Sequence, residues 1–283
     1  MPMSFDGDAL SWRHRGPVLE VELHREPLNE IGTATLRELE IVARYLRAGA
    51  DDARVLLLWS SQPGFCAGAD LRELHAGMMA RRQGRLRSLL PPVLSRQLLR
   101  VEIGHFIRRI HRVFDALDQA PLATVAAVHG VCFGGGFELA LACDRIVADR
   151  TARFCFPELR LGIVPGFGGI PRLERDVGNA MVRDLLLTGR SIGAKRAHEV
   201  GLVAEVVPRG EVLASARRAA QQLARFEGRT MAMAKRFAKP IPEARLKRER
   251  QLFCRMVTQP EVLEALGSFV TDDGVRPYLG GAR

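Results

Sequence analysis

Residues Val125 to Ala148 read V-A-A-V-H-G-V-C-F-G-G-G-F-E-L-A-L-A-C-D-R-I-V-A, two apolar runs separated by three glycines. The first run, counted from Thr124 to His129, has the length and composition of a buried β-strand. Three glycines at 134–136 let the chain turn directly into a helix over Phe137 to Cys143. A second buried strand over Arg145 to Ala148 completes a strand–turn–helix–strand unit.

The same order occurs upstream, between residues 54 and 75. A buried strand over Arg54 to Trp59 precedes a Pro63-Gly64 turn, a bend at Gly68 and a short helix over Ala69 to His75. Two such units predict an α/β architecture in which functional groups lie where strands lead into helices.

Further elements are predicted outside these two units, from hydrophobic periodicity and from breaks at glycine and proline. They are a strand over Val18–Leu23, a helix over Ala34–Leu46, an irregular segment over Gly77–Ser95, a helix over Ser95–Leu117, a strand over Leu202–Val207 within a mostly helical stretch from Gly178, and a final helical segment over Glu243–Phe269. We expect the C-terminal third to form either a separate lobe or an oligomerisation element.

The composition is that of an ordinary globular protein, with 47% hydrophobic and 26% charged residues among 283. We expect one large domain, or one domain with an appendage. No apolar run is long enough to predict a membrane span, and Met1 to Gly16 lack the apolar stretch of a secretory signal. Five cysteines without a C-x-x-C pair predict reduced thiols and a cytoplasmic location. No histidine or cysteine spacing predicts a metal site.

Positive charge is concentrated in one part of a chain whose net charge is +10. Between Arg81 and Arg112 there are nine arginines and a single acid, Glu102. A solvated helix face and a binding site for an anionic partner explain this equally well. Nucleic acid is disfavoured as that partner, because the chain has only 2 Trp and 2 Tyr and no recognisable nucleic-acid-binding motif.

Two glycine turns are candidates for stabilising negative charge. Gly68 permits a bend that leaves the N–H of Ala69 near a helix N-terminus, where free donors favour anions. Glycines 134–136 suggest that another group approaches the backbone closely, and they lack the sequence order of a phosphate-binding P-loop or a dinucleotide-binding turn. Each turn alone also fits a purely steric need for glycine, whereas together they can form an oxyanion hole.

Two glutamates lie within otherwise apolar sequence. Glu138 follows the triple glycine, and Glu158 lies within F-C-F-P-E-L-R-L-G. Structural explanations exist for both, since Glu138 can complement a helix dipole and Glu158 can pair with Arg160. Two acids beside two backbone donors are nevertheless what proton chemistry next to a carbonyl requires, because the donors stabilise the oxyanion and the acids move protons.

The sequence resembles the enoyl-CoA hydratase/isomerase (crotonase) family from about Val18 to Val207. The resemblance is carried by S-S-Q-P-G-F-C-A-G-A-D-L-R-E-L (60–74), the 125–148 stretch quoted above, F-P-E-L-R-L-G-I-V-P-G-F-G-G-I-P-R-L (156–173) and L-L-L-T-G-R-S-I-G-A-K-R-A-H-E-V-G-L-V (185–203). It implies a spiral of ββα units over residues 1–207, with an Arg-rich insertion at about 77–104. A helical C-terminal region over 208–283 would form trimers or dimers of trimers.

The resemblance also implies roles for individual residues. The ligand would be an acyl thioester of coenzyme A, with no separate cofactor and no metal. The oxyanion donors would be the N–H groups of Ala69 and Gly135, and the catalytic acids would be Glu138 and Glu158. The substrate and CoA channel would involve Arg25, Ala67, Asp70, Leu71 and Arg72.

Because the family's hydratases use two glutamates and its isomerases often lack the first, the resemblance with both present implies reversible hydration of a 2-enoyl-CoA to the 3-hydroxyacyl-CoA, within fatty acid metabolism. Glu138 would help activate water for attack at C3, and Glu158 would deliver the proton to C2. One alternative is an isomerase that uses Glu158 as its single base. Another is a dehydratase acting on an acyl chain held by an acyl carrier protein, which would dock at the Arg-rich insertion through Arg81, Arg82, Arg85 and Arg87.

Two hypotheses from other functional classes have less support in the sequence. Gly64-Phe65-Cys66-Ala67-Gly68 fits the G-x-C-x-G elbow of a thiol hydrolase, although no histidine partner is identifiable from spacing. A non-catalytic protein could bind RNA or a protein partner through the basic segment, but such a protein would need neither glutamate.

Overall fold

A seven-stranded sheet forms the centre of the computed structural model, which describes residues 4–49, 53–83 and 91–271. The strands are β1 (Ser4–Asp6), β2 (Leu10–Arg15), β3 (Val18–Leu23), β4 (Val55–Ser60), β5 (Ala123–Val128), β6 (Val131–Phe133), β7 (Arg145–Asp149), β8 (Arg153–Cys155), β9 (Ile192–Gly193) and β10 (Glu205–Val207). Their order in the large sheet is β1-β2-β3-β4-β5-β7-β10, and β6-β8-β9 form a second sheet.

An α-helix directly follows five of the ten strands in the described ranges. The helices are α1 (Thr33–Arg47), α2 (Leu71–Gln83), α3 (Pro92–Asp118), α4 (Gly135–Ala142), α5 (Gly169–Val177), α6 (Asn179–Thr188), α7 (Ala194–Glu199), α8 (Val212–Leu223), α9 (Gly228–Ala238), α10 (Glu243–Met256) and α11 (Pro260–Thr271). A short 3₁₀ turn covers Glu158–Leu161. This arrangement confirms the predicted α/β class.

The central strands run parallel, from β3 through β4, β5 and β7 to β10, while β1 and β2 pair antiparallel at one edge. Side chains alternate between two apolar layers. Leu56 and Leu58 of β4 face the main core with α1 and α3, whereas Leu57 faces α8. Because both faces are covered, the central strands are apolar at successive positions, as the sequence pattern predicted.

The smaller sheet brings the two glycine turns together. Cys66 forms a parallel bridge to Cys132 in β6, with its N–H donating to Val131 O at 3.0 Å. Phe133 N–H donates in turn to Cys66 O, also at 3.0 Å. Residues on either side of this bridge therefore lie next to one another, although about 65 positions separate them in the chain.

Most predicted elements are confirmed, with small shifts at their ends. The strand Val18–Leu23 is found with the predicted bounds. The predicted helix over Ala34–Leu46 is α1, and the predicted final segment over Glu243–Phe269 consists of two helices, α10 and α11.

The prediction of an irregular segment over Gly77–Ser95 was wrong in part. Helix α2 continues through Gln83, and α3 begins at Pro92. Pro92 occupies the first turn of its helix, where a missing N–H costs nothing, so this proline starts a helix instead of breaking one. Arg85 and Arg87 lie outside the described residues.

Helices after residue 207 pack on the rest of the molecule. Helix α8 lies on β4, β5 and β7, α10 contacts α3 and α5, and α11 contacts α2 and the 3₁₀ turn. The proposed boundary at residue 207 stays a prediction. Among the described helices, none is both long and apolar enough to cross a membrane.

Candidate active site

The two predicted oxyanion donors lie side by side. A Cβ placed on Gly68 would lie 3.2 Å from Gly135 N, and one placed on Gly135 would lie 3.4 Å from Ala69 N. Neither Ala69 N–H nor Gly135 N–H donates to any protein atom within the described ranges. Gly135 is the first residue of α4, so its N–H carries the partial positive charge of a helix N-terminus. The pair can bind one oxygen that carries partial negative charge.

Backbone conformation explains two of the glycines at this point. Gly68 has φ +105° and Gly134 has φ +48°, in a region that side chains disfavour. A Cβ on Gly68 would also lie 2.9 Å from Phe133 O, and one on Gly134 would lie 2.6 Å from Glu158 Oε1. Glycine is therefore required both to shape the two turns and to leave room for the carboxyl group of Glu158.

Glu138 is almost fully buried in the first turn of α4, where it holds the loop before α5. Its Oε1 accepts hydrogen bonds from Phe167 N–H at 2.8 Å and from Gly169 N–H at 2.7 Å. Burial raises the pKa of Glu138 to about 7, while the N–H groups of Gly169 and Phe167 act in the opposite direction. Near neutral pH this side chain can exchange a proton.

Glu158, at the start of the 3₁₀ turn, has different surroundings. The residue is half-buried, but its Oε2 is buried and has no hydrogen-bond partner within the described part of the chain. Burial and then the negative charge of Glu138 raise the pKa of Glu158 well above its usual range. An unpartnered buried carboxyl oxygen favours the protonated form, which can donate a proton to a ligand.

The two environments assign different protonation states to the two acids. Backbone donors favour an ionised Glu138, whereas Glu158 has no comparable donor on Oε2. Since the two groups repel each other when both are charged, they are expected to share one proton near neutral pH. Such a pair supplies a base and an acid at the same time.

Both acids and both amides line one small cavity of about 50 Å³. A larger cavity of about 420 Å³ lies beside it, and Ala69, Leu74, Phe167 and Phe253 belong to the walls of both. Apolar side chains of α3, including Ile103, line the larger cavity. The two acids and the two amides thus lie beside a larger, mostly apolar space.

The residues predicted for the substrate and CoA channel have mixed locations. Ala67 and Leu71 line the small cavity, and Asp70 lines the larger one. Arg25 donates to Asp70 at 2.6 Å, so its charge is paired. Arg72 donates to Val270 O in α11 at 3.2 Å and lines neither cavity. The channel roles of all five residues stay predictions.

Sequence reasoning missed one glutamate at the site, Glu249 in α10. Its buried carboxyl group accepts from Gly168 N–H at 2.7 Å and from Ile170 N–H at 3.0 Å. Glu138 holds the alternate N–H groups at Phe167 and Gly169, so the two acids together hold the end of the loop and the first residues of α5. Burial and the negative charge of Glu138 raise the pKa of Glu249 well above its usual range. Glu249 therefore positions the loop that positions Glu138.

A test of this role compares Glu249→Gln with Glu243→Gln, an exposed change on the same helix. A carboxyl group with a raised folded-state pKa favours the folded state at low pH, and that contribution is lost as pH rises through the folded pKa. Glu249→Gln should therefore make the melting temperature depend less on pH between mildly acidic and alkaline solution. Parallel melting curves for wild type and Glu249→Gln would contradict the assignment, and Glu243→Gln should match wild type.

The paired amides allow a second test, with Gly135→Ala. The added methyl group would lie 2.7 Å from the ring of Phe167 and close to Ala69 N. Alanine keeps the backbone N–H, but the clash with Phe167 should move it out of place, so we expect a loss of up to about 10²–10³ in kcat for a thioester substrate, the usual effect of losing one oxyanion donor. Gly228→Ala is the matched control, since Gly228 also begins a helix and has open space around it. Wild-type turnover by Gly135→Ala would contradict the expectation that the exact position of this N–H matters for the reaction.

Cys66 does not have the properties of a hydrolase nucleophile. Its thiol is fully buried and donates to Asn29 O at 2.9 Å. Burial raises the pKa of Cys66 to about 12, so almost no thiolate exists near neutral pH. The thiol-hydrolase alternative is therefore wrong. Within the described chain, no group of three or more His, Cys, Asp or Glu side chains could hold a metal ion.

Together these features are suited to acid–base chemistry beside the carbonyl group of a ligand. Comparison with known proteins gives the family. Residues 104–271 match the family model for enoyl-CoA hydratase/isomerase. A probable enoyl-CoA hydratase from Rhizobium meliloti is 33% identical over 261 residues, 90% of this chain and 92% of that protein. An enoyl-CoA isomerase/hydratase from Mycosarcoma maydis is 35% identical over 171 residues, and the match spans 55% of its length.

Solved structures agree with the sequence comparisons. The crystal structure of an enoyl-CoA hydratase from Bacillus anthracis superposes with a TM-score of 0.69 at 29% identity, covering 92% of this chain and 95% of that one. The chain belongs to the enoyl-CoA hydratase/isomerase family and has the crotonase fold, as the sequence resemblance implied. It is an enzyme of the enoyl-CoA hydratase type.

Proposed function

We propose that this enzyme reversibly hydrates a 2-enoyl-CoA thioester to the 3-hydroxyacyl-CoA. The thioester oxygen accepts hydrogen bonds from Ala69 N–H and Gly135 N–H, which stabilise the negative charge that develops there. Ionised Glu138 takes a proton from water as the oxygen attacks C3. Protonated Glu158 delivers its proton to C2. The pair gains one proton and gives one, and transfer between the two acids restores the starting state.

The observation that carries this proposal is the difference between the two acids on a single cavity. One carboxyl group is held by backbone donors, and the other has a buried oxygen with no partner among the described residues. Hydration needs a base and an acid on the same substrate at once, and this arrangement supplies both. Isomerisation would need only one of them.

The direct experiment measures loss of the conjugated enoyl thioester when the purified enzyme meets crotonyl-CoA and longer 2-enoyl-CoA substrates. A parallel assay follows conversion of a 3-enoyl-CoA to the 2-enoyl isomer. Hydration of at least one 2-enoyl-CoA, at rates well above those for isomerisation, supports the proposal. Isomerisation without hydration of any chain length would replace it with the isomerase alternative.

A dehydratase acting on an acyl carrier protein stays a hypothesis. Arg81 pairs with Glu102 at 2.9 Å, so part of the predicted docking charge is already neutralised. Reversing Arg81, Arg82, Arg85 and Arg87 to Glu should weaken turnover of a carrier-linked substrate. Unchanged kinetics on that substrate would remove the hypothesis.

Trimer formation and cytoplasmic location also stay predictions. Large apolar side chains on and next to α9 are exposed, with Phe237 at 92%, Met233 at 65% and Phe226 at 60%. An apolar surface of this kind is typical of contacts between subunits, which supports an oligomer. Light scattering gives the mass in solution, and a monomer would exclude the trimer.

A further inference from the structure

Another cavity, of about 540 Å³, lies between α3 and α10, and we call it the basic groove. Its lining is Arg100, Val101, Gly104 and Arg108 from α3, with Lys247, Arg250, Gln251, Cys254 and Arg255 from α10. Five of these nine residues carry positive charge, and none carries negative charge. Its volume is that of a small-molecule site.

None of the five cations of the basic groove has an acidic partner within 4 Å in the described part of the chain. Burial raises the pKa of Asp115, although Arg250 is near enough to that carboxyl group to lower it. Elsewhere on α3 the pattern is different, since Arg109 donates to Glu40 at 2.7 Å. Five like charges around one cavity repel each other, and a bound anion would relieve that repulsion.

Arg100 provides an independent sign of a missing partner. Its Nε is buried and has no hydrogen-bond acceptor in the part of the chain that the structure describes. A buried guanidinium nitrogen without an acceptor is costly, because it has given up water without a replacement. An anionic oxygen placed in the groove is a suitable acceptor.

The chemistry of the lining indicates the class of anion. Four of the five cations are arginines, whose planar donors match the oxygens of a phosphate group. Several cations around one small cavity suit a ligand with more than one phosphate charge. We propose that the basic groove binds a small, multiply charged phosphate ester.

The position of the groove separates it from the reaction site. Cys254 lines the groove, while its neighbour Phe253 lines both cavities of the candidate active site. On α3, Gly104 lines the groove and Ile103 lines the larger cavity. The contact between α3 and α10 is thus a wall shared by the two sites. The proposal does not depend on the hydration reaction.

The test measures binding of inorganic pyrophosphate to the intact protein by isothermal titration calorimetry at low ionic strength. Each charge-removing change, Arg250→Gln or Lys247→Gln, should weaken binding by about tenfold to a hundredfold, as expected for hydrogen bonds to charged groups. Arg248→Gln is the matched control, because Arg248 is an exposed cation on the same helix outside the groove. Added salt should weaken wild-type binding.

Two outcomes would overturn the proposal: no binding of pyrophosphate by the wild type, or equal weakening by Arg248→Gln. Capture of an acidic polypeptide such as polyglutamate without pyrophosphate binding would also overturn it, in favour of a protein partner. A second titration uses adenosine 3′,5′-bisphosphate, with and without crotonyl-CoA, to distinguish the nucleotide end of the substrate from a separate phosphorylated ligand. Competition with crotonyl-CoA would assign the groove to the nucleotide end of the substrate, and independent binding would assign it to a separate phosphorylated ligand.

Discussion

Replacing Glu158 with Gln is expected to reduce hydration of crotonyl-CoA by about 10²–10⁴-fold, the usual contribution of a general acid. The side chain keeps its size, so the space beside Gly134 stays filled. In the proposed mechanism the variant lacks the acid that protonates C2, because an amide cannot supply that proton. KM should change little, since this substitution leaves the proposed thioester contacts with Ala69 N–H and Gly135 N–H in place. Steady-state kinetics measures the loss of activity, and circular dichroism shows whether the variant is still folded.

The pH dependence of the wild type gives a second readout for the same pair. As pH falls below about 7, Glu138 takes up a proton and the base is lost, so kcat/KM should decline. As pH rises through the higher apparent pKa of the pair, the proton of Glu158 is lost and kcat/KM should decline again. A kcat/KM that does not change with pH on either side of its maximum would contradict the sharing of one proton by Glu138 and Glu158.

A matched control for Glu158→Gln is Glu264→Gln. Glu264 is exposed on α11, the helix that packs against the 3₁₀ turn, so the same chemical change is made nearby without touching the cavity. This variant should retain wild-type hydration. Comparable loss in both variants would mean that general damage, and not proton transfer, explains the result for Glu158→Gln.

The two glycine turns were predictable from sequence because their cause is local. Gly68 and Gly134 adopt positive φ values, which glycine tolerates far better than other residues, and the glycines themselves are visible in the sequence. The buried strands leading into the turns were equally visible, since parallel strands covered on both faces are apolar throughout. The bridge between Cys66 and Cys132 then brings the turns together.

Glu249 could not be predicted, because its surroundings in sequence suggest the opposite of its location. It lies between Arg248 and Arg250 in a highly charged helix, which is typical of a solvated face. Only the fold places this one position against the N–H groups of Gly168 and Ile170. A contact across about 80 positions leaves no local signal in a single sequence.

The arginine-rich stretch was predictable as a charged region but not as individual contacts. The sequence left a solvated helix face and an anion site equally open. In the structure the arginines have different surroundings: Arg109 pairs with Glu40, whereas Arg100 and Arg108 line the basic groove with residues of α10. Which arginine has a partner depends on the helix packed against it, and that packing is not encoded near the arginines themselves.

The expected results for Glu138 separate hydration from isomerisation. Glu138→Gln should lower hydration by about 10²–10⁴-fold, because the base that activates water is lost. Gln is preferred to Ala here, since its amide oxygen can still accept from Phe167 N–H and Gly169 N–H and keep the loop in place. Any isomerisation of a 3-enoyl-CoA should largely survive in this variant, because Glu158 alone can move that proton.

Comparison of the two glutamine variants decides between the two activities. In a hydratase, Glu138→Gln and Glu158→Gln both lose hydration, since attack at C3 and protonation at C2 each need their own group. In an isomerase with a single base, only Glu158→Gln loses its activity. Retention of full hydration by Glu138→Gln would therefore remove Glu138 from the reaction, because a buried carboxyl group that only holds the loop at Phe167 and Gly169 can be replaced by an amide without loss of rate.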